Sequence, residues 1–133
     1  MNNKKKILVV NLFLFAFLFG IISLNKEIIR PIYNHTPIIR ILTGSFPNFI
    51  ATYIVSIFFV NAVVIKNPKY GRLIVYIGSF IVFLLMAIEE LKPLWGVSKT
   101  YDYYDILASG IGAILAILTY ELIVVKRKKL NKK

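Results

Sequence analysis

The chain has 133 residues, of which 58% are hydrophobic, and a mean hydropathy of +0.72, above the roughly 45 to 50% apolar share of soluble globular chains. The formal net charge is +11, but the basic residues cluster at the ends of apolar runs rather than along one face, which argues against nucleic acid as a partner. With no cysteine, disulfides, thiolate metal sites and cysteine nucleophiles are excluded.

A helix crossing a hydrocarbon core of roughly 30 Å needs about 20 mostly apolar residues, because its backbone polar groups must be paired within the segment. Four stretches qualify: about 7–24, 46–65, 73–91 and 103–125. The reading is therefore an all-α polytopic membrane protein, a four-helix transmembrane bundle forming one domain over 1–133. The first span follows Lys4, Lys5 and Lys6. A basic stretch before an apolar one also describes a secretory signal. Retention is expected, because an 18-residue run is long for such a signal and no small-x-small site precedes Asn25 cleanly. For the second span, Gly44 and Ser45 punctuate the start, Ser45 serves as N-cap, and Pro47 falls in the first turn, where its missing N–H is not needed. The fourth span is stopped by Lys126 to Lys129.

The N-terminal tail, the 66–72 loop and the C-terminal tail hold twelve of the seventeen Lys and Arg residues; the other two loops hold five. The positive-inside rule then puts both termini in the cytoplasm of a cell (inner) membrane, with 25–45 and 92–102 facing outward.

An ionisable side chain at a helix centre costs about 2.5 to 3.5 kcal/mol on insertion scales, so the depth at which such groups occur is informative. Glu89 and Glu90 close the third span, Asp102 and Asp105 open the fourth, and Asn48 and Thr52 share one face at the outer end of the second. Asp102 and Asp105 sit where an N-cap and the helix dipole favour negative charge, so capping alone accounts for them as well as a site does. Glu89 and Glu90 lie at an unfavourable C-terminal end; they either snorkel to outer water or join Lys92 and Lys99 in a mutually neutralising cluster. Along the fourth span Asp105, Ser109, Gly112 and Ala116 share a face, and Ala108, Gly112 and Ala116 form a small-xxx-small series suited to close helix packing.

Other polar residues read as structural. His35, the single histidine, lies in a loop between Pro31 and Pro37 and makes no zinc site. Asn11 and Asn61 suit interhelical hydrogen bonds, and Glu121 lies within reach of the Lys126 to Lys129 cluster. Trp95, Tyr101, Tyr103 and Tyr104 suit an interfacial belt.

Taken together, Glu89, Lys92, Lys99, Asp102, Asp105, Ser109 and Gly112 resemble the signature half of the VanZ-like family of small bacterial membrane proteins. Glu89, Asp102, Asp105 and Gly112 match that pattern in spacing, while Lys92 stands for its Gln, Lys99 for its Arg and Ser109 for its Asn. Lysine lacks the bidentate fork of arginine, and serine offers fewer bonds than asparagine. The resemblance covers about a quarter of the chain strongly. It implies a compact four-helix inner-membrane protein with polar residues at the outer ends of its last spans, in a family whose founding member is linked to low-level glycopeptide antibiotic resistance.

Three functions follow as expectations. The first is a binding site for a cell-envelope lipid or glycopeptide molecule, formed by Asn48, Glu89, Lys92, Lys99, Asp102, Asp105 and Ser109. The second is a carboxylate-dependent membrane enzyme, with Glu and Asp as acid and base or as oxygen ligands of a divalent cation. The third is a structural or assembly subunit, a helix-helix partner or homo-oligomer built on the small-residue stripe. No cofactor is expected, since neither a phosphate-cradling glycine loop nor a Ser, His, Asp constellation is present.

Overall fold

The computed structural model describes residues 2–33, 35–92 and 102–130. They form four helices, α1 (Asn3–Tyr33), α2 (Pro37–Lys66), α3 (Gly71–Leu91) and α4 (Tyr103–Leu130), each long and apolar enough to cross a membrane. There is no strand among the described residues, so the fold is an all-α four-helix bundle. Large apolar side chains such as Phe13 and Leu122, each 71% exposed, project from its surface, as they do when lipid is the solvent.

The first two helices are longer than the apolar runs that mark them. Helix α1 continues past Leu24 through a π-helical turn, Asn25–Ile29, and then Arg30–Tyr33. Helix α2 begins at Pro37, behind an extended Thr36, where a fixed φ and a missing N–H suit the first helical position. Most of the segment expected to be an outward loop, 25–45, is thus helical, and exposed His35 sits in the short turn between α1 and α2.

The expected N-cap at Ser45 and first-turn position of Pro47 are therefore corrected. Ser45 is buried in the helix and Pro47 lies in its interior. A proline there donates no N–H to the carbonyl four residues back, that of Thr43, and its ring crowds that carbonyl. The defect is met from α1. Asn25 Nδ2 donates to Thr43 O at 2.8 Å, and Arg30 Nη2 donates to the next carbonyl, Gly44 O, at 3.1 Å. Apolar surroundings tolerate an interior proline when a neighbouring helix satisfies the freed carbonyl. Asn25, only 1% exposed, stands at the start of the π-helical turn, so irregularities in α1 and α2 face each other.

The α2–α3 connection is tight. Asn67 takes a left-handed conformation (φ 48°, ψ 53°) and its N–H bonds to Val63 O at 2.7 Å, closing the helix, while Pro68 prevents continuation. Asparagine is one of the few side chains that visits this region readily.

Helix α2 is the hub. It packs on all three other helices, α3 and α4 also pack on each other, and among the described residues α1 packs against α2 alone. The apolar core joins Ile57, Val60 and Val63 of α2 to Val75 of α3 and to Ala116 and Tyr120 of α4. At Gly112 the backbones of α4 and α2 nearly touch: a Cβ there would collide with the carbonyl oxygen of Phe49. The small-residue stripe therefore serves packing within the chain, with Ala116 fully buried beside it.

Alternating helix directions bring both termini to one end, which is the basic one. There Arg127 Nη1 donates to Val64 O at 3.0 Å, and Asn61 Nδ2 donates to Asn11 Oδ1 at 3.3 Å, so the interhelical bonding expected of each is made with the other. Glu121 takes partners other than the nearby lysine cluster. It forms an ion pair with Arg72 at 2.7 Å and accepts the Tyr76 hydroxyl at 2.9 Å, because α3 lies directly alongside. The opposite end carries Glu89, Glu90, Asp102 and Asp105.

Candidate functional site

Where α4 begins, the chain provides its own cap. Asp102 Oδ1 accepts the N–H of Tyr104 at 2.9 Å, satisfying one of the helix's orphan donors. Glu90 Oε1 accepts the N–H of Asp102 at 3.0 Å, which ties the end of α3 to the start of α4. Asp102 is thus occupied as a capping residue, and Glu90 is its cross-helix anchor. Exposed Tyr103 and Tyr104 flank them at the level where amphipathic rings suit an interface.

One turn further on, Asp105 points into the bundle and is half-buried. Its Oδ1 is shielded from solvent without a close hydrogen bond. Facing it from α2 is Ser45, 6% exposed, whose buried Oγ interacts with the Asp105 carboxylate without closing a full hydrogen bond. The charges around this pair are Arg30 of α1, Glu90 of α3 and Asp102 of α4. Buried serine hydroxyls without partners also occur at Ser56 and Ser79. Ser45 differs from them in having a buried carboxylate oxygen opposite. A buried polar group without a well-formed bond costs up to roughly 1 to 3 kcal/mol, so this loosely paired serine and carboxylate are a place where a bound polar group adds hydrogen bonds.

The other expected site residues fall around this centre with differing roles. Ser109 is buried, but its Oγ donates to Asp105 O at 2.9 Å, so it is spent on its own helix. Asn48 is half-buried on α2, and its carbonyl accepts the hydroxyl of fully buried Thr52 at 2.8 Å. Glu89 is half-buried and Lys92 exposed at the end of α3. Lys99, with Trp95 and Tyr101, lies outside the described residues. Ala108, Gly112 and Ala116 continue below the site on α4, where Gly112 seats α4 against α2.

Sequence reasoning missed Asn25, Arg30, Thr43 and Ser45, all within the stretch assigned to an outward loop. The signal available was Pro47: a proline inside a long apolar helix requires donors from another element, and Asn25 and Arg30 are the polar side chains one segment back. Among the described residues no three His, Cys, Asp or Glu side chains converge as metal ligands, so the divalent-cation form of the enzyme expectation has no ligand set there.

A polar cluster with one exposed cation, Arg30, and one inward carboxylate suits a ligand presenting hydrogen-bond donors. The fold and this site together define a four-helix protein whose helices are long and apolar enough to cross a membrane, with a polar cluster at one end. Comparison of the chain with protein-family models, with curated proteins and with solved structures gives no match.

Proposed function

We propose that the chain is a VanZ-like multi-pass protein of the bacterial cell membrane, with cytoplasmic termini, that binds a cell-envelope lipid or glycopeptide-related molecule at its outer end. The observation that carries this reading is the buried facing pair, Ser45 Oγ and Asp105 Oδ1, which lean on each other without closing a well-formed hydrogen bond. A ligand hydroxyl, or the N–H and C=O of a ligand amide, would donate to Asp105 and accept from Ser45 at once. Arg30, held by Gly44 O through one nitrogen, retains further N–H donors for a negative or carbonyl group of the same molecule. The orientation rests on the distribution of Lys and Arg, and the family on the spacing of Glu89, Asp102, Asp105 and Gly112. The assembly-subunit reading loses ground because Gly112 already meets α2.

The test is a deletion strain assayed for sensitivity to envelope-directed antibiotics, glycopeptides included, and for envelope lipid composition. Complementation with Ser45→Ala or Asp105→Asn is expected to fail although each variant accumulates in the membrane like the wild type. Ser45→Ala is also expected to change stability by less than about 1 kcal/mol, since its Oγ makes only a loose contact with Asp105. Full complementation by both variants at normal abundance would remove the site.

A further inference from the structure

The basic end holds a second candidate site that does not depend on the reading above. A cavity of about 440 Å³ opens between the C-terminal ends of α2 and α4. Val63, Val64, Ile123 and Val124 provide its apolar wall, and Arg127 and Lys128 its cations.

Charge is unevenly divided between the two ends. Along the sequence, the tail and loop segments of this end contribute twelve Lys and Arg residues and one carboxylate, Glu121, whereas the other end contributes five of each sign. By sequence, the excess of positive charge therefore lies in the segments that adjoin the cavity end. Glu121 is taken by Arg72 and Tyr76.

The helix dipoles point the other way, since two C-terminal ends meet here and each presents negative carbonyls. Two of those carbonyls are covered. Arg127 Nη1 bonds to Val64 O at 3.0 Å, and the Asn67 N–H bonds to Val63 O at 2.7 Å. The first of these bonds also anchors the guanidinium beside the cavity and leaves its other donors for a ligand.

We propose that this cavity seats one anionic phospholipid, its phosphate between Arg127 and Lys128 and the start of an acyl chain along the valine and isoleucine wall. An apolar wall continuous with a membrane-crossing helix offers nothing to a free phosphate ion and matches a lipid chain. Two cations at its mouth favour an anionic headgroup over a zwitterionic one.

The full-length protein, purified in detergent, would be titrated with phosphatidylglycerol or phosphatidylcholine and the retained lipid counted by native mass spectrometry. One phosphatidylglycerol per chain is expected to be held preferentially. K128Q should weaken retention about fivefold and R127Q/K128Q about 25-fold, at roughly one such factor per cation. K4Q/K5Q removes the same charge from the same end outside the cavity and should leave retention unchanged. V124F, which narrows the cavity with every cation kept, should reduce retention as well. Helical content by circular dichroism checks that each variant is folded. Equal losses in R127Q/K128Q and K4Q/K5Q would mean diffuse attraction and overturn the proposal. So would equal retention of both lipids, displacement by millimolar inorganic phosphate, or indifference to V124F.

Discussion

Helix α2 is joined to α4 and to α1 by two different kinds of seam. Against α4 the contact is one of shape: Gly112 lets the backbones meet at Phe49, buried Ala113 and Ala116 continue the close approach, and Tyr53 and Thr119 add a hydroxyl contact at 3.3 Å. Against α1 the contact is one of single polar bonds: Asn25 to Thr43 O, Arg30 to Gly44 O and Asn61 to Asn11. Helix α1 buries little besides Leu18 and Asn25. In lipid the apolar effect does not drive helices together, so van der Waals fit and interhelical hydrogen bonds remain as the available adhesives. This bundle uses one on each side of its central helix. A seam of shape fails when volume is added, and a seam of polar bonds fails when one donor is removed.

The largest effect should come from Gly112→Val. Its added bulk meets the Phe49 carbonyl, and reversible unfolding in mixed micelles should register a loss of about 3 kcal/mol, toward the upper range for overpacking. Unchanged stability would mean that α2 and α4 are not in backbone contact.

Asn25→Leu should cost about 1 to 3 kcal/mol, because it leaves Thr43 O buried beside Pro47 without a donor. The loss should be local. Amide exchange is expected to rise in α1 and the adjoining part of α2 while α3 and α4 stay protected, and uniform exchange across all four helices would erase the distinction between the seams.

Pro47→Ala sharpens the same point. With an N–H restored at position 47, Thr43 O regains a helical partner, and the penalty for Asn25→Leu should shrink by about 1 kcal/mol in a double-mutant cycle. Strict additivity would show that Asn25 does not act as the proline's compensating donor. Asn61→Leu should have the smallest effect, about 0.6 kcal/mol, the usual size of an interhelical side-chain bond in a membrane protein.

These contrasts bear on what was readable in advance. The small-residue stripe and the capping use of Asp102 are local patterns, each visible from helical spacing or position in a first turn, and each appears in the structure; Asn11 and Asn61 were legible as interhelical bonders, but not as each other's partner. The end of α1 and the start of α2 were partly hidden, because Asn25, Lys26 and Glu27 look like the end of a span and Gly44, Ser45 and Pro47 look like the beginning of one. Both appearances reflect local propensity, which a neighbouring helix overrides when it supplies the missing hydrogen bonds.

Hydropathy and charge placement alone determined the number of membrane-crossing helices, their order, and the gathering of positive charge at one end, since these depend on residue type and chain position. Only the tertiary structure decided that Ser45 faces Asp105, that Glu90 anchors Asp102, and that Asn25 and Arg30 serve the carbonyls near Pro47. Those meetings depend on the rotational phase of four separate helices and on a π-helical turn that shifts one of them. Phase is set by packing, which no single segment contains.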